Sequence, residues 1–204
     1  MQNYAVFFGL MGKILYQYPE KDFYKKLIEE EIFDDTPLSI DTPPFIEGAH
    51  MLKQWAAQFN GSLDDQGYDD IVNDYQRLFV GTSGPVQAPP WESLYVGPDP
   101  MLFQESTLSA RRWYAKHGLQ AEHLKHEPDD HIGLELIFIA HLISKINQGE
   151  NELDSLKEFY SEHIAGWAAA WCTLCAEKSN HPLFKAVAII SREALADLGK
   201  KLGL

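Results

Sequence analysis

Residues 129–147 read DDHIGLELIFIAHLISKIN, and this stretch decides the fold. Ile132, Leu136, Ile139 and Ile143 recur at the spacing of one helix face, while Asp129 and Asp130 behind Pro128 suit the positive end of a helix. The pattern predicts a core helix over about 129–147. The same period runs outward and predicts further helices over about 3–17, 20–32, 43–59, 66–80, 103–117, 152–178 and 182–200, with a break near Gly166. Pro43 and Pro44 after Thr42, and Pro182 after His181, mark two of the starts. No run alternates apolar and polar residues for the length of a strand. The expected fold is all-α: a single-domain helical bundle over residues 1–204.

Composition narrows the partners. The chain has 204 residues, 45% hydrophobic and 23% charged, which buries a core and excludes disordered or collagen-like chains. Thirty acids against 17 bases leave a net charge of -13, which repels nucleic acid and draws in a basic partner. Residues 20–74 concentrate 14 of the acids with only four bases, either as a solvated face or as a docking surface for a basic peptide. The apolar run from Tyr4 to Met11 has no Lys or Arg before it and no small-residue cleavage site after it. It therefore reads as a buried first helix rather than a signal peptide. No stretch is long enough to span a bilayer. With only Cys172 and Cys175 in the chain, a cytoplasmic protein is expected, without stable membrane insertion.

Residues 81–100, GTSGPVQAPPWESLYVGPDP, break the helical texture with five of the 11 prolines. Trp91, Leu94, Tyr95 and Val96 make the segment too apolar for disorder, so an ordered loop is expected. It is either a connection held down by Trp91 or a ligand-facing loop. Just before it, Tyr75, Leu78 and Phe79 share a helix face, as core or as an apolar patch.

Enzymatic signatures are weak. His126 and His131 are five residues apart where a zinc protease helix needs four, although His117, His123, His126 and His131 leave an irregular metal site conceivable. Gly81 to Gly84 lacks the spacing of a nucleophile elbow, and no phosphate loop or dinucleotide fingerprint occurs. Cys172 and Cys175 form C-x-x-C within a helix and read as packed thiols. His131 and Glu135, at i and i+4, read either as an acid and base pair or as the polar rim of an apolar groove. No catalytic residue, cofactor or metal is expected.

The order of motifs carries more. Gln76-Arg-Leu-Phe-Val-Gly81, Pro89-Pro-Trp-Glu-Ser93, Leu102-Phe-Gln-Glu-Ser-Thr-Leu108 and Glu127-Pro-Asp-Asp-His131 resemble, in that order, the TorD/DmsD family of redox-enzyme maturation chaperones, on its DmsD side. The resemblance is densest over residues 74–142 and weak over 20–70. It implies a TorD-like helical fold and a chaperone that binds the twin-arginine signal peptide of a molybdoenzyme of the DMSO reductase type. The chaperone would hold that subunit until its cofactor is inserted, before Tat export, and the mature client is a second candidate partner. Matching the motifs residue by residue gives Tyr75, Leu78, Phe79, Pro90, Trp91, Glu127, Asp130 and His131 as the implied peptide-binding residues. Tyr75 stands where the family can carry Trp, and Glu92 and Tyr95 stand where it can show Gly and Trp.

These residues suit such a ligand. Two guanidinium groups call for carboxylates, here Glu127 and Asp130, and the apolar stretch after them calls for an aromatic groove. His131 reads either as a pH-sensitive latch or as an ordering residue at a helix start. The competing classes are a scaffold that binds folded partners through the proline loop and a small hydrolase using His131 with Asp130 or Glu135.

Overall fold

The computed structural model describes residues 1–82, 84–97, 99–121 and 127–204. Helix α1 covers Gln2–Tyr16, α2 Lys21–Glu29, α3 Pro43–Ala57, α4 Asp65–Tyr75, α5 Glu105–Lys116 and α6 Ile132–Asn147. Helices α7 (Leu153–Phe159), α8 (Ala168–Lys178) and α9 (Pro182–Leu202) complete the chain. Among the described residues there is no β-strand, and the fold is all-α as expected. No described helix is long and apolar enough to cross a membrane.

Several helix ends differ from the pattern, each for a local reason. Helix α2 stops at Glu29 instead of about residue 32, because Glu29, Glu30 and Glu31 would crowd negative charge onto the negative end of the helix dipole. Helix α4 ends in a π-turn over Gln76–Val80. Gly81, at φ +81°, closes that turn by donating its N–H to the Gln76 carbonyl, and a side chain there would meet Gly84 O at 2.9 Å. Helix α6 begins at Ile132, because His131 is extended and the backbone on either side of it pairs with residues 90 and 92. The anticipated break near Gly166 lies between a π-turn, Tyr160–Ile164, and α8.

The chain forms two compact units, each built from segments distant in sequence. One comprises residues 1–16, 90–170 and 199–204; the other comprises 17–89 and 171–198. In the first, α1 and α6 approach backbone to backbone. A Cβ on Gly12 would lie 2.6 Å from Gly133 O, and one on Gly133 would lie 2.7 Å from Gly12 O. Phe7, Phe8, Ile14, Leu15, Leu136, Ile139 and Ile143 are buried in this unit. Beyond them Tyr114, Phe138 and Phe159 form an aromatic layer, with Phe138 and Phe159 at 4.6 Å between ring centroids.

In the second unit, Tyr75, Phe79 and Phe184 pack ring against ring at 5.1 to 5.9 Å, and Phe79 stacks on Trp171. Asp74 is its polar anchor. The carboxylate accepts hydrogen bonds from Ser179 Oγ at 2.8 Å and the His181 N–H at 3.0 Å, and Arg77 pairs with it at 2.6 Å. His181 Nδ1 then accepts the Leu183 N–H at the start of α9. Cys172 and Cys175 are buried free thiols, and burial pushes the Cys172 thiol up to about 12, which suits packing rather than redox chemistry.

The α1–α6 contact is testable. Gly12→Ala should lower the unfolding free energy by about 1–3 kcal/mol in urea titrations, because the methyl group strikes backbone that cannot give way. Gly9→Ala, whose added Cβ would sit at an ordinary 3.8 Å from Ala140, should be neutral or slightly stabilising.

Candidate functional site

The proline-rich loop is ordered through its backbone. The Gln87 and Ala88 N–H groups donate to the carbonyls of Arg77 and Leu78, and Trp171 Nε1 donates to Ala88 O. In the first unit the Glu92 N–H donates to Asp130 O at 2.9 Å and the Ile132 N–H to Pro90 O at 2.8 Å, making a short antiparallel bridge between Trp91 and His131. A 3-10 turn over Glu92–Leu94 follows. The loop is therefore held by main-chain pairing and by the buried Ala88, Glu92 and Ser93, while Trp91 itself is only half-buried.

Asp130 is the hub of this arrangement. Its side chain is fully buried; Oδ2 accepts from the Ser93 N–H at 2.7 Å and Ser106 Oγ at 3.2 Å, and Oδ1 accepts from Thr107 Oγ1 at 2.7 Å. One carboxylate thus joins the loop, α5 and the start of α6. Asp129 beside it is also buried and pairs with Arg111. In this conformation the Asp130 oxygens are engaged by protein donors and out of solvent, so a guanidinium would have to displace those donors to reach them.

The other implied residues divide by exposure. Tyr75, Leu78 and Phe79 are buried at 5%, 0% and 4%, so of the two readings of their shared face the core one holds. Pro90 and His131 are buried as well. Glu127 is exposed, and Trp91 shows part of its ring. The structure brings Trp91 and His131 together, ring centroids 6.0 Å apart, and gathers Tyr75 with Phe79 in the other unit. Exposed apolar residues outside the implied peptide-binding set include Met101, Phe103 and Leu108, at 58%, 51% and 45%, with Leu102 beside them in the chain.

A second buried cluster joins Glu92 of the proline-rich motif to Glu135 and His163, which lie outside the motifs. Glu92 Oε2 lies 2.8 Å from His163 Nδ1, and His163 Nε2 lies 3.0 Å from Ser109 Oγ. Glu135 joins them: donor atoms of Glu92, Glu135 and His163 all lie within 4.8 Å of one another. Burial drives the Glu135 carboxyl well above the usual range, and the neighbouring Glu92 and Asp130 add repulsion. Burial raises Glu92 too, against the pull of His163. Glu135 therefore belongs to this cluster instead of forming an acid and base pair with His131. Of the four histidines considered for a metal, His123 and His126 lie outside the described residues. His131 caps α6, and His117 Nε2 faces Glu152 at 3.3 Å. In the second unit a cavity of about 560 Å³ is lined by Trp55, Phe59, Asp70, Asp74, Arg77 and His181.

The chain is similar to known proteins over most of its length. The family model for the nitrate reductase delta subunit matches residues 46–173. The Tat proofreading chaperone DmsD of Salmonella typhimurium is 27% identical over 194 residues, covering 95% of this chain and 88% of that protein. The chaperone protein TorD of Vibrio cholerae is 26% identical over 180 residues, covering 81% and 80%. The crystal structure of a redox enzyme maturation protein from Archaeoglobus fulgidus superposes with a TM-score of 0.56 at 19% identity, over 96% of this chain and 94% of that one, a likeness of fold.

His131 carries its own consequence. Its Nδ1 accepts the Gly133 N–H at 3.0 Å, its ring meets Tyr16 edge-on, and burial lowers its pKa to about 3. The ring is neutral throughout pH 5 to 8, so the latch reading gives way to the ordering one. The unfolded chain protonates this histidine near pH 6.5 and the folded chain only near 3, so between those values the unfolded state binds the extra proton and stability falls as pH falls. His131 should account for a loss of about 2 kcal/mol between pH 7 and pH 5. His131→Asn, which keeps a cap acceptor, should show that much less acid sensitivity in urea titrations at the two pH values. Asp130→Ala, which strands the Ser93 N–H and the Thr107 hydroxyl, should cost about 2–4 kcal/mol at neutral pH.

Proposed function

The chain belongs to the nitrate reductase delta subunit family, and from that premise we propose that it is a maturation chaperone for a redox enzyme. Its ligand is the twin-arginine leader of a molybdenum-cofactor oxidoreductase subunit, of the DMSO reductase type. The chaperone holds that subunit in the cytoplasm until the cofactor is inserted and then releases it for Tat export. The observation that carries this reading is a likeness to proteins named as DmsD and TorD chaperones along most of their length, at 88% and 80%.

The physical chemistry supports it. A leader with paired arginines is steered by a net charge of -13, and guanidinium groups favour exposed carboxylates such as Glu127. The apolar part of the leader needs accessible hydrophobic surface, which Trp91 and the exposed Met101, Phe103 and Leu108 offer on the first unit. The buried motif residues Tyr75, Leu78, Phe79, Pro90, Asp130 and His131 act on the ligand through the scaffold, or by direct contact if the chain opens around the peptide.

Isothermal titration with a synthetic twin-arginine leader tests this against a leader with both arginines replaced by alanine. Tight binding of the first and much weaker binding of the second are expected. Trp91→Ala should weaken binding by about 1–3 kcal/mol with the fold intact. If neither leader binds well above micromolar concentration, the leader-chaperone reading fails. Binding of a folded partner that survives deletion of its leader would replace it with the scaffold reading.

A further inference from the structure

We propose that Glu92, Glu135 and His163 form a structural site for one divalent first-row transition-metal cation, which fastens the proline-rich loop to α6 and to the π-turn at Tyr160–Ile164. The proposal is independent of the leader-binding reading.

Geometry comes first. The three donor atoms lie within 4.8 Å of one another. Atoms bound tetrahedrally to one zinc ion at about 2.0–2.2 Å lie about 3.3–3.6 Å apart, so side-chain shifts of about 1 Å complete the set. Glu135 is the independent sign of a missing partner. It has no solvent exposure, and neither carboxyl oxygen meets a donor at full hydrogen-bond geometry, with only the Glu92 carboxyl and the Trp167 indole near enough to act on it. Buried carboxyl oxygens seldom go unsatisfied, and a cation satisfies them as a proton donor would.

The surroundings fit a metal centre. His163 turns Nδ1 to the cluster, and its Nε2 rests on Ser109 Oγ, the outer hydrogen bond that fixes the ring of a metal-binding histidine. The Trp167 indole donates to His163 O, and Tyr95 stacks on Trp167, so the ring's backbone is also held. Asp130 adds a third buried carboxylate nearby, already satisfied by its own donors. Arg111 is paired with Asp129. Ionising two carboxyls out of water beside a third requires compensating positive charge, which a divalent cation would supply to Glu92 and Glu135.

The donors define the ion. Two carboxylate oxygens and one imidazole nitrogen suit Zn²⁺, Mn²⁺ or Fe²⁺, and are too few oxygens for Ca²⁺ and too hard for Cu⁺. Protons compete for the site, because burial makes both carboxyls hold them tightly. Uptake of the cation therefore displaces a proton.

The test titrates Zn²⁺ into the chelator-treated full-length protein by calorimetry, in two buffers of different ionisation enthalpy. Thermal unfolding is followed with and without the ion. The expected result is one ion bound per chain, proton release on binding and a raised melting temperature. Glu135→Gln should weaken affinity at least tenfold and abolish the thermal shift. If Glu135→Gln does not fold, Glu92→Gln is read in its place. Absence of saturable binding overturns the proposal, as does binding whose affinity neither Glu135→Gln nor Glu92→Gln changes. Either result leaves the two carboxyls sharing a proton.

Discussion

A carboxylate with no access to water organises the first unit. Asp130 takes the Ser93 N–H from the loop, the hydroxyls of Ser106 and Thr107 from α5, and stands just ahead of the residue that caps α6. An ionised group in the interior is tolerable only when its oxygens are saturated, and that requirement fixes where the loop and both helices can run. The second unit uses the same device. Asp74 receives the backbone of residues 180 and 181 and the hydroxyl of Ser179, and His181 caps the helix that follows. In each unit a buried aspartate gathers an irregular segment, and a histidine ring nitrogen starts the next helix.

Much of this architecture was legible in the sequence, because helical period, early proline and first-turn acids are local signals. The stripe of Ile132, Leu136, Ile139 and Ile143 lies in the core as its spacing requires. The errors fall where a tertiary demand overrides local preference. Residues 129–131 have the composition of a first helical turn, yet the pairing of Glu92 with Asp130 and of Ile132 with Pro90 keeps them out of the helix, with His131 extended. The π-turn after Tyr75 leaves no mark in composition beyond Gly81. The close contact of Gly12 with Gly133 is silent too, since neither glycine lies in a turn.

The cluster of Glu92, Glu135 and His163 was illegible for another reason. Glu92 and His163 are 71 residues apart, and no spacing rule joins a loop carboxylate to the histidine of a π-turn. One signal was present: Glu92 and Tyr95 are two of the three positions, with Tyr75, where the motifs depart from the pattern of the family they resemble. Both departures are used. Glu92 supplies a carboxylate to the cluster, and Tyr95 stacks on Trp167, whose indole braces His163. Residues that break a pattern together and meet through shared partners point to a local interaction that the pattern alone does not contain.

The motif that identifies the family is largely an interior motif. Leu78, Phe79, Asp130 and His131 lie out of reach of solvent, and the ionised or hydrogen-bonding groups among them already have protein partners. A ligand can take over such groups only by displacing those partners, and uncovering an engaged buried carboxylate costs about as much as a peptide contact returns. On the proposed leader-binding reading, the buried motif residues would serve recognition through the scaffold, and direct contact would fall to side chains such as Trp91 and Glu127, which are not fully buried. Substitutions in the interior set should change stability and affinity together, whereas those at the surface should change affinity alone. That separation distinguishes a preformed receptor from one that opens to admit its ligand.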